Sequence, residues 1–126
     1  MVSIKTQIIA IVNKIPAGKV MYFGQIGKLI ANKNHEESFA NSFVGVSGQV
    51  VGFVLSGMRQ EEWKLLPWHR VVAKDGYISS LKLGAKGLIQ KQLLLGEGVD
   101  IIEDHIDMTK HLFEDNNTEM LFRNLA

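Results

Sequence analysis

Residues able to do chemistry concentrate in one run, Pro67-Trp68-His69-Arg70-Val71-Val72. It holds one of the two prolines, one of the two tryptophans and one of the four histidines of the 126-residue chain. An indole beside an imidazole and a guanidinium offers a flat apolar surface edged by hydrogen-bonding groups. Such a surface suits a planar, partly polar ligand such as a nucleobase. The same residues also fit a packed tryptophan and a structural ion pair behind a proline turn. What the chain lacks narrows the chemistry further. There is no cysteine, which excludes disulfides, thiolate zinc sites and a cysteine nucleophile. A hydrolase using His69 as base would need a nucleophile or a metal, and His35, His105 and His111 show no ligand spacing. His35 next to Glu36 and Glu37 reads as a solvated loop rather than a metal site. No cofactor is expected.

The elements that must position this run follow from periodicity and punctuation. Pro67 fixes its own φ and pushes Leu66 toward extended backbone, so the run begins at a rigid turn. Upstream, Ile4, Ile8, Ile9, Ile11, Val12 and Ile15 recur at helical spacing, and Ser3 can cap a helix over 3–14. Pro16 and Gly18 break the chain. Phe23, Ile26, Leu29 and Ile30 mark a second helix over 23–31. Residues 32–47 are polar and turn-forming apart from Phe39 and Phe43, and read as a long connection. Ser47 can cap a third helix, with Val50, Val51, Val54 and Leu55 as its stripe and Gly57 as its stop. Gly48 and Gly52, four apart, leave one side of that helix open to another backbone, either a packed helix or a nucleic acid. Residues 58–66 read as a charged loop. Downstream, Val71–Ser79 reads as two short strands about Asp75-Gly76, a strong hairpin signal. A connector over 81–84 precedes a helix over 85–95. Val99–Ile102 is a short strand, Met108–Phe113 a last turn, and 114–126 a weakly held tail.

Composition places the chain as one globular domain, residues 1–113, followed by that tail. The hydrophobic fraction is 46% and the charged fraction 21%, with no apolar run long enough to span a bilayer. A cytoplasmic monomer is the expectation, nucleoid-associated in a bacterium or nuclear in a eukaryote. Net charge is only +1, but it is unevenly spread. Residues 1–74 carry nine basic and four acidic side chains, whereas 75–126 carry five and nine. That split is compatible with one positive face for phosphates. Three short helices followed by a hairpin give a mainly α fold class: a winged helix-turn-helix domain with a small β-hairpin wing.

A series of motifs now falls in one order: Ile15-Pro16-x-Gly18-Lys19-Val20, Phe23-Gly24-Gln25-Ile26, Val51-Gly52-x-x-Leu55, Pro67-Trp68-His69-Arg70-Val71-Val72, Gly76-x-Ile78-Ser79 and Gln92-x-Leu94-Leu95-x-Glu97-Gly98-Val99. Over roughly residues 3–113 this resembles the DNA-binding domain of O6-alkylguanine-DNA alkyltransferases. In that family the residue after the motif proline is the cysteine that accepts the alkyl group. Here it is Trp68, the mark of the alkyltransferase-like proteins, which bind alkylated guanine without repairing it. The resemblance implies no enzyme activity. Its implied partner is double-stranded DNA containing O6-alkylguanine, whose damaged base is extruded into a pocket and whose lesion is handed to nucleotide excision repair. The implied lesion pocket is Trp68, Pro67, His69, Val71 and Ser79. The implied DNA-binding residues are Phe23, Tyr22, Gln49, Gly48, Gly52 and Arg70, and His69 with Glu97 form a structural network. The family usually has arginine at Gln49, to fill the hole left by the extruded base, and tyrosine at Phe23, to rotate a phosphate. A general winged-helix module without lesion preference is the alternative that these two departures favour.

Overall fold

The computed structural model describes residues 3–30 and 45–114. Residues 32–44 of the long connection, the last residue of the helix expected over 23–31, and the tail from 115 onward lie outside the described residues. Among the described residues, six α-helices carry most of the fold. The first, α1 (Ile4–Asn13), starts where the Thr6 amide donates to Ser3 Oγ at 3.1 Å, and its apolar stripe buries Ile8, Ile11 and Val12. A two-residue strand β1 (Met21–Tyr22) runs into α2 (Phe23–Lys28). Ser47 caps α3 (Gly48–Ser56), its Oγ accepting from the Val50 amide. A single turn, α4 (Gln60–Trp63), interrupts the expected charged loop.

Helices α2 and α3 pack backbone against backbone, and glycine makes this possible. A Cβ on Gly27 would stand 2.1 Å from the Val46 carbonyl oxygen, and one on Gly48 would stand 2.9 Å from the Gly24 nitrogen. The Val46 amide donates to that same Gly27 carbonyl at 2.9 Å. The small side of α3 is therefore used, at Gly48, for tight helix–helix contact.

Strand β2 (Val71–Val72) pairs in parallel with β1, in the register Met21 to Val71 and Tyr22 to Val72. Side chains alternate across a strand, and the alternation divides the interior. Met21 and Val71 join the helical core with Ile8, Ile11, Ile26, Ile30, Val51 and Leu55, whereas Val20 and Val72 join a second cluster with Ile78, Leu94, Val99 and Ile106. This short ribbon seats the chemistry-bearing run between two cores.

The hairpin is not where the Asp75-Gly76 signal placed it. A turn does form there, with the Ala73 amide donating to the Tyr77 carbonyl and the Tyr77 amide to Asp75 Oδ1, both at 3.0 Å. Val71-Val72, however, is taken by β1, and Ile78 donates instead to the Asp104 carbonyl. The antiparallel hairpin is β3 (Ile101–Ile102) with β4 (His105–Ile106). Its turn residues Glu103 and Asp104 both have positive φ, 50° and 63°. That is the backbone of a tight two-residue hairpin turn, made without the glycine that usually advertises one. The loop at Gly76 docks on this hairpin, since the Ile106 amide donates to the Gly76 carbonyl at 2.9 Å and a Gly76 Cβ would meet the Ile106 oxygen at 2.4 Å. The expected connector is a 3-10 helix, Ser79–Leu83, leading through Gly84 into α5 (Ala85–Gly96), and α6 (Met108–His111) forms the last turn. The result is the expected mainly helical fold with a small wing.

Candidate nucleic-acid interface

Pro67 sets the geometry of the focal run. With φ −76° and ψ 59° it centres an inverse γ-turn, closed by the Trp68 amide donating to the Leu66 carbonyl at 2.7 Å. The chain then winds into a single 3-10 helix, Trp68–Arg70, which divides its three side chains between two sides before Val71 enters β2.

Two of them converge on Glu97, at the end of α5. His69 Nε2 lies 2.7 Å from Glu97 Oε2 and donates to it. Arg70 donates from Nε to both carboxylate oxygens and from a terminal nitrogen to Oε2 at 2.7 Å, and its other terminal nitrogen donates to the Ile15 carbonyl at 2.8 Å. Glu97 Oε1 also accepts the Gly18 amide at 3.0 Å. Burial works to raise the Glu97 pKa, but the hydrogen bonds from Arg70, His69 and Gly18 outweigh it and hold the carboxyl at about 2. Gly18 is gripped from its other side by His111, whose Nδ1 donates to the Gly18 carbonyl while Nε2 accepts the Asp100 amide, both at 3.0 Å. These contacts explain the Ile15-Pro16-x-Gly18 motif. The breaker turn is the far wall of the Glu97 network, and Gly18 has a φ of 84° that a side chain would resist. The His69–Glu97 pair is thus a structural network, and Arg70 belongs to it.

Trp68 turns the other way, onto an open cavity of about 550 Å³. This is within the roughly 300–1,000 Å³ typical of small-ligand sites. Trp68, Val71 and Ser79 line it, together with Phe23 of α2, Gly48, Gln49 and Gly52 of α3, and Lys82, Leu83 and Lys86. Of the expected pocket, Trp68, Val71 and Ser79 line the cavity, while Pro67 and His69 do not. Of the expected DNA-binding set, Phe23, Gln49, Gly48 and Gly52 line it. Tyr22 sits in β1 and Arg70 faces Glu97, both away from it. Two groups of residues bear on the site without having been singled out. Gln90, only 3% exposed, donates through Nε2 to the carbonyls of His69 and Val71 at 3.0 and 2.9 Å and accepts from Ser80 Oγ. It pins the 3-10 helix to α5. Lys86 holds its ammonium 5.3 Å from the centre of the Trp68 ring. A polar residue on the otherwise apolar buried side of α5 was the available signal for Gln90. Nothing in sequence spacing marks Lys86, because a 3-10 helix and a glycine intervene before α5 begins.

Residues 3–99 match the family described as 6-O-methylguanine DNA methyltransferase, DNA binding domain. The chain belongs to this family. A curated relative, a DNA base-flipping protein of Vibrio parahaemolyticus, is 32% identical over 98 residues, covering 77% of this chain and 81% of that protein. Among solved structures, S. pombe Atl1 in complex with damaged DNA containing O6-carboxymethylguanine superposes with a TM-score of 0.69 at 24% identity, covering 88% of this chain and 94% of that one. An S. pombe ATL in complex with DNA gives 0.65 at 22% identity with the same coverage. These neighbours establish the alkyltransferase-like fold. Within the family this chain has no cysteine anywhere, and no described helix is long and apolar enough to cross a membrane. Among the described residues no cluster of histidine and carboxylate side chains could hold a metal ion.

Proposed function

We propose that this protein is a non-enzymatic sensor of O6-alkylguanine in double-stranded DNA. It takes the extruded base into the cavity beside Trp68 and presents the lesion to nucleotide excision repair. The observation that carries the reading is an open, largely apolar cavity walled by Trp68 together with residues of α2 and α3, in a chain without cysteine. The relative named as a base-flipping protein and the structural neighbours in complex with DNA, one of them damaged, support it. Alkyl transfer to protein needs a strong nucleophile, and an indole at the position after Pro67 is not one. Extruding a base costs a few kcal/mol, which contact with an aromatic ring, about 1–3 kcal/mol, helps to offset. In this reading α3 approaches the groove, Gln49 occupies the vacated stack, and Phe23 faces the extruded nucleotide. The protein acts as a monomer, in the nucleoid or the nucleus.

The second reading is a general DNA-binding or protein-interaction module without lesion preference. Gln49 and Phe23 favour it, since they lack the guanidinium and the hydroxyl that the family usually uses there. The deciding measurement is affinity for matched duplexes with and without O6-methylguanine, with mass spectrometry of protein and DNA afterwards. The sensor binds the lesion duplex more tightly and leaves both molecules unaltered in mass. Equal affinities favour the second reading, and a methyl group moved onto the protein overturns both.

A further inference from the structure

Helix α3 meets solvent without a charge. Its nine residues, Gly48–Ser56, include no acidic and no basic side chain. Val51 and Leu55 are buried in the helical core, and the outward side carries Gln49, Val50, Phe53 and Ser56. A solvated helix normally puts charged and polar groups on that side. Here Phe53 is 79% exposed and Val50 38%. Phe53 does not line the cavity beside Trp68, but Gln49, one turn earlier, and Gly52, its chain neighbour, both do. The exposed ring therefore extends the candidate interface beyond the cavity. Its support is firm, because α3 packs on α2 backbone to backbone at Gly48. In a helix-turn-helix the second helix is the one that enters a DNA groove. There is no carboxylate on α3 to repel phosphates, and the ring gives up no charge hydration on entering a base stack. A duplex suits this face.

Position decides what such a ring could reach. Four residues along a helix advance about 6 Å, and successive base pairs are about 3.4 Å apart. Phe53 thus falls one to two base steps from Gln49, outside the space that an extruded base leaves. We propose that Phe53 is an apolar wedge that enters the stack at a neighbouring base step, opens it and bends the duplex. This rests on the reading above that α3 approaches the groove of the bound DNA. Apolar side chains that insert in this way partly unstack a step and kink DNA by roughly 20–90°. Unstacking the neighbouring step also makes the damaged base easier to extrude, which offsets the short reach of Gln49. A protein partner is the other occupant that an exposed ring could have, but it would leave the shape of the DNA unchanged.

The test uses the full-length chain and two otherwise identical duplexes, with guanine or O6-methylguanine at the centre and a donor and an acceptor dye at the ends. Energy transfer between the dyes reads the bend, titration reads Kd, and urea unfolding checks each variant. The parent shortens the end-to-end distance of the bound lesion duplex. Phe53→Ala, at so exposed a site, folds as the parent does, but it weakens binding roughly tenfold and loses most of the bend. Phe53→Leu keeps the bend, because a wedge needs an apolar body rather than an aromatic one. Phe53→Lys separates the wedge from a phosphate contact, since it regains affinity at low salt without the bend. A parent that binds without bending the DNA overturns the proposal, and so does a Phe53→Ala protein that bends it as the parent does. If the parent prefers O6-methylguanine and either of those results is found, only the wedge fails, and the face is left to a protein partner. If it bends both duplexes through Phe53 without preferring the lesion, the wedge stands and the lesion pocket fails. If it binds neither duplex, both fail.

Discussion

Glu97 and Trp68 meet the same 3-10 helix from opposite sides, and the fold treats the two sides differently. On the Glu97 side every polar group is answered. The carboxylate takes hydrogen bonds from His69, Arg70 and the Gly18 amide, and Arg70 reaches on to the Ile15 carbonyl. On the Trp68 side the wall is mostly carbon, and apolar side chains face outward. Leu83 in that wall is 65% exposed, and Phe53, one helical turn from Gln49 on α3, is 79% exposed. A half-buried ionic network is costly to open once formed, because removing one member strands the others. An apolar hollow costs little to leave unfilled. The difference makes one side a fixed anchor and leaves the other as the receptor of the proposed function, with Pro67 and Gln90 keeping the helix between them in place.

The contrast breaks most severely at the anchor. Glu97→Gln leaves the Arg70 guanidinium without its anion, and should destabilise the fold by about 3 kcal/mol. A urea unfolding series reads this directly, and a loss under about 1 kcal/mol would mean that the network is ornamental to stability. The same network has a pH signature. Glu97 protonates near 4.5 in the unfolded chain and near about 2 in the folded one. As pH falls below 4.5 the unfolded state takes up its proton first, so the stability that this carboxylate contributes is fully present above that pH. It drains away between 4.5 and about 2. The difference in unfolding free energy between parent and Glu97→Gln should shrink by roughly 2–3 kcal/mol over that window. A difference that stays constant would show that Glu97 is not held ionised by its partners. Other carboxylates titrate in the same range, but they cancel in the comparison.

At the receptor the order of effects reverses. Trp68→Ala should cost less stability than Glu97→Gln, since the ring faces the cavity. It should weaken binding to O6-methylguanine duplex tenfold to a hundredfold, the value of one aromatic contact with a base, about 1–3 kcal/mol. Binding to undamaged duplex, made through phosphates elsewhere, should change little. A folded Trp68→Ala protein that keeps its full preference for the lesion would remove Trp68 from the site.

The anchor and the receptor were not equally legible in the sequence. Apolar spacing and serine caps located α1 and α3 because local rules govern both, and the family resemblance paired His69 with Glu97 across 28 residues. The hairpin was misplaced because Asp75-Gly76 carries the stronger local turn chemistry, while Val71-Val72 is claimed by Met21-Tyr22 from far along the chain. Tertiary pairing prevailed over a local signal there. The true turn, at Glu103-Asp104, uses residues that seldom adopt positive φ and so gives no warning. Trp68, Val71 and Ser79, expected together, do line one cavity. Pro67 was included because it neighbours Trp68, although its role is to bend the backbone. Lys86 was missed because its position depends on how α5 packs against the 3-10 helix before it. A Cβ on Gly87 would lie 2.2 Å from the Leu81 Cα, so that contact closes only because residue 87 is glycine.

The smallest expected effect sharpens the comparison most, because it adds charge to the receptor without touching the anchor. Gln49 lies in the wall of the same cavity as Trp68, on the first turn of α3. A glutamine there can occupy part of the space left by an extruded base, but it offers neither the length nor the charge of the arginine usual in the family. Gln49→Arg should tighten binding to the lesion duplex by roughly threefold to tenfold, the gain coming from a longer side chain in the stack and a cation near the phosphates. The two contributions separate by salt. A cation that neutralises one further phosphate steepens the log–log dependence of affinity on salt by about 0.9, on damaged and undamaged duplex alike. Filling the vacated stack helps only where a base has left it, and survives high salt. A gain confined to low salt and shared by both duplexes would mean that residue 49 faces the phosphate backbone rather than the gap. No gain on either duplex would mean that α3 does not enter the groove at this turn. Urea stability should be unchanged throughout, since Gln49 makes no contact with the Glu97 network.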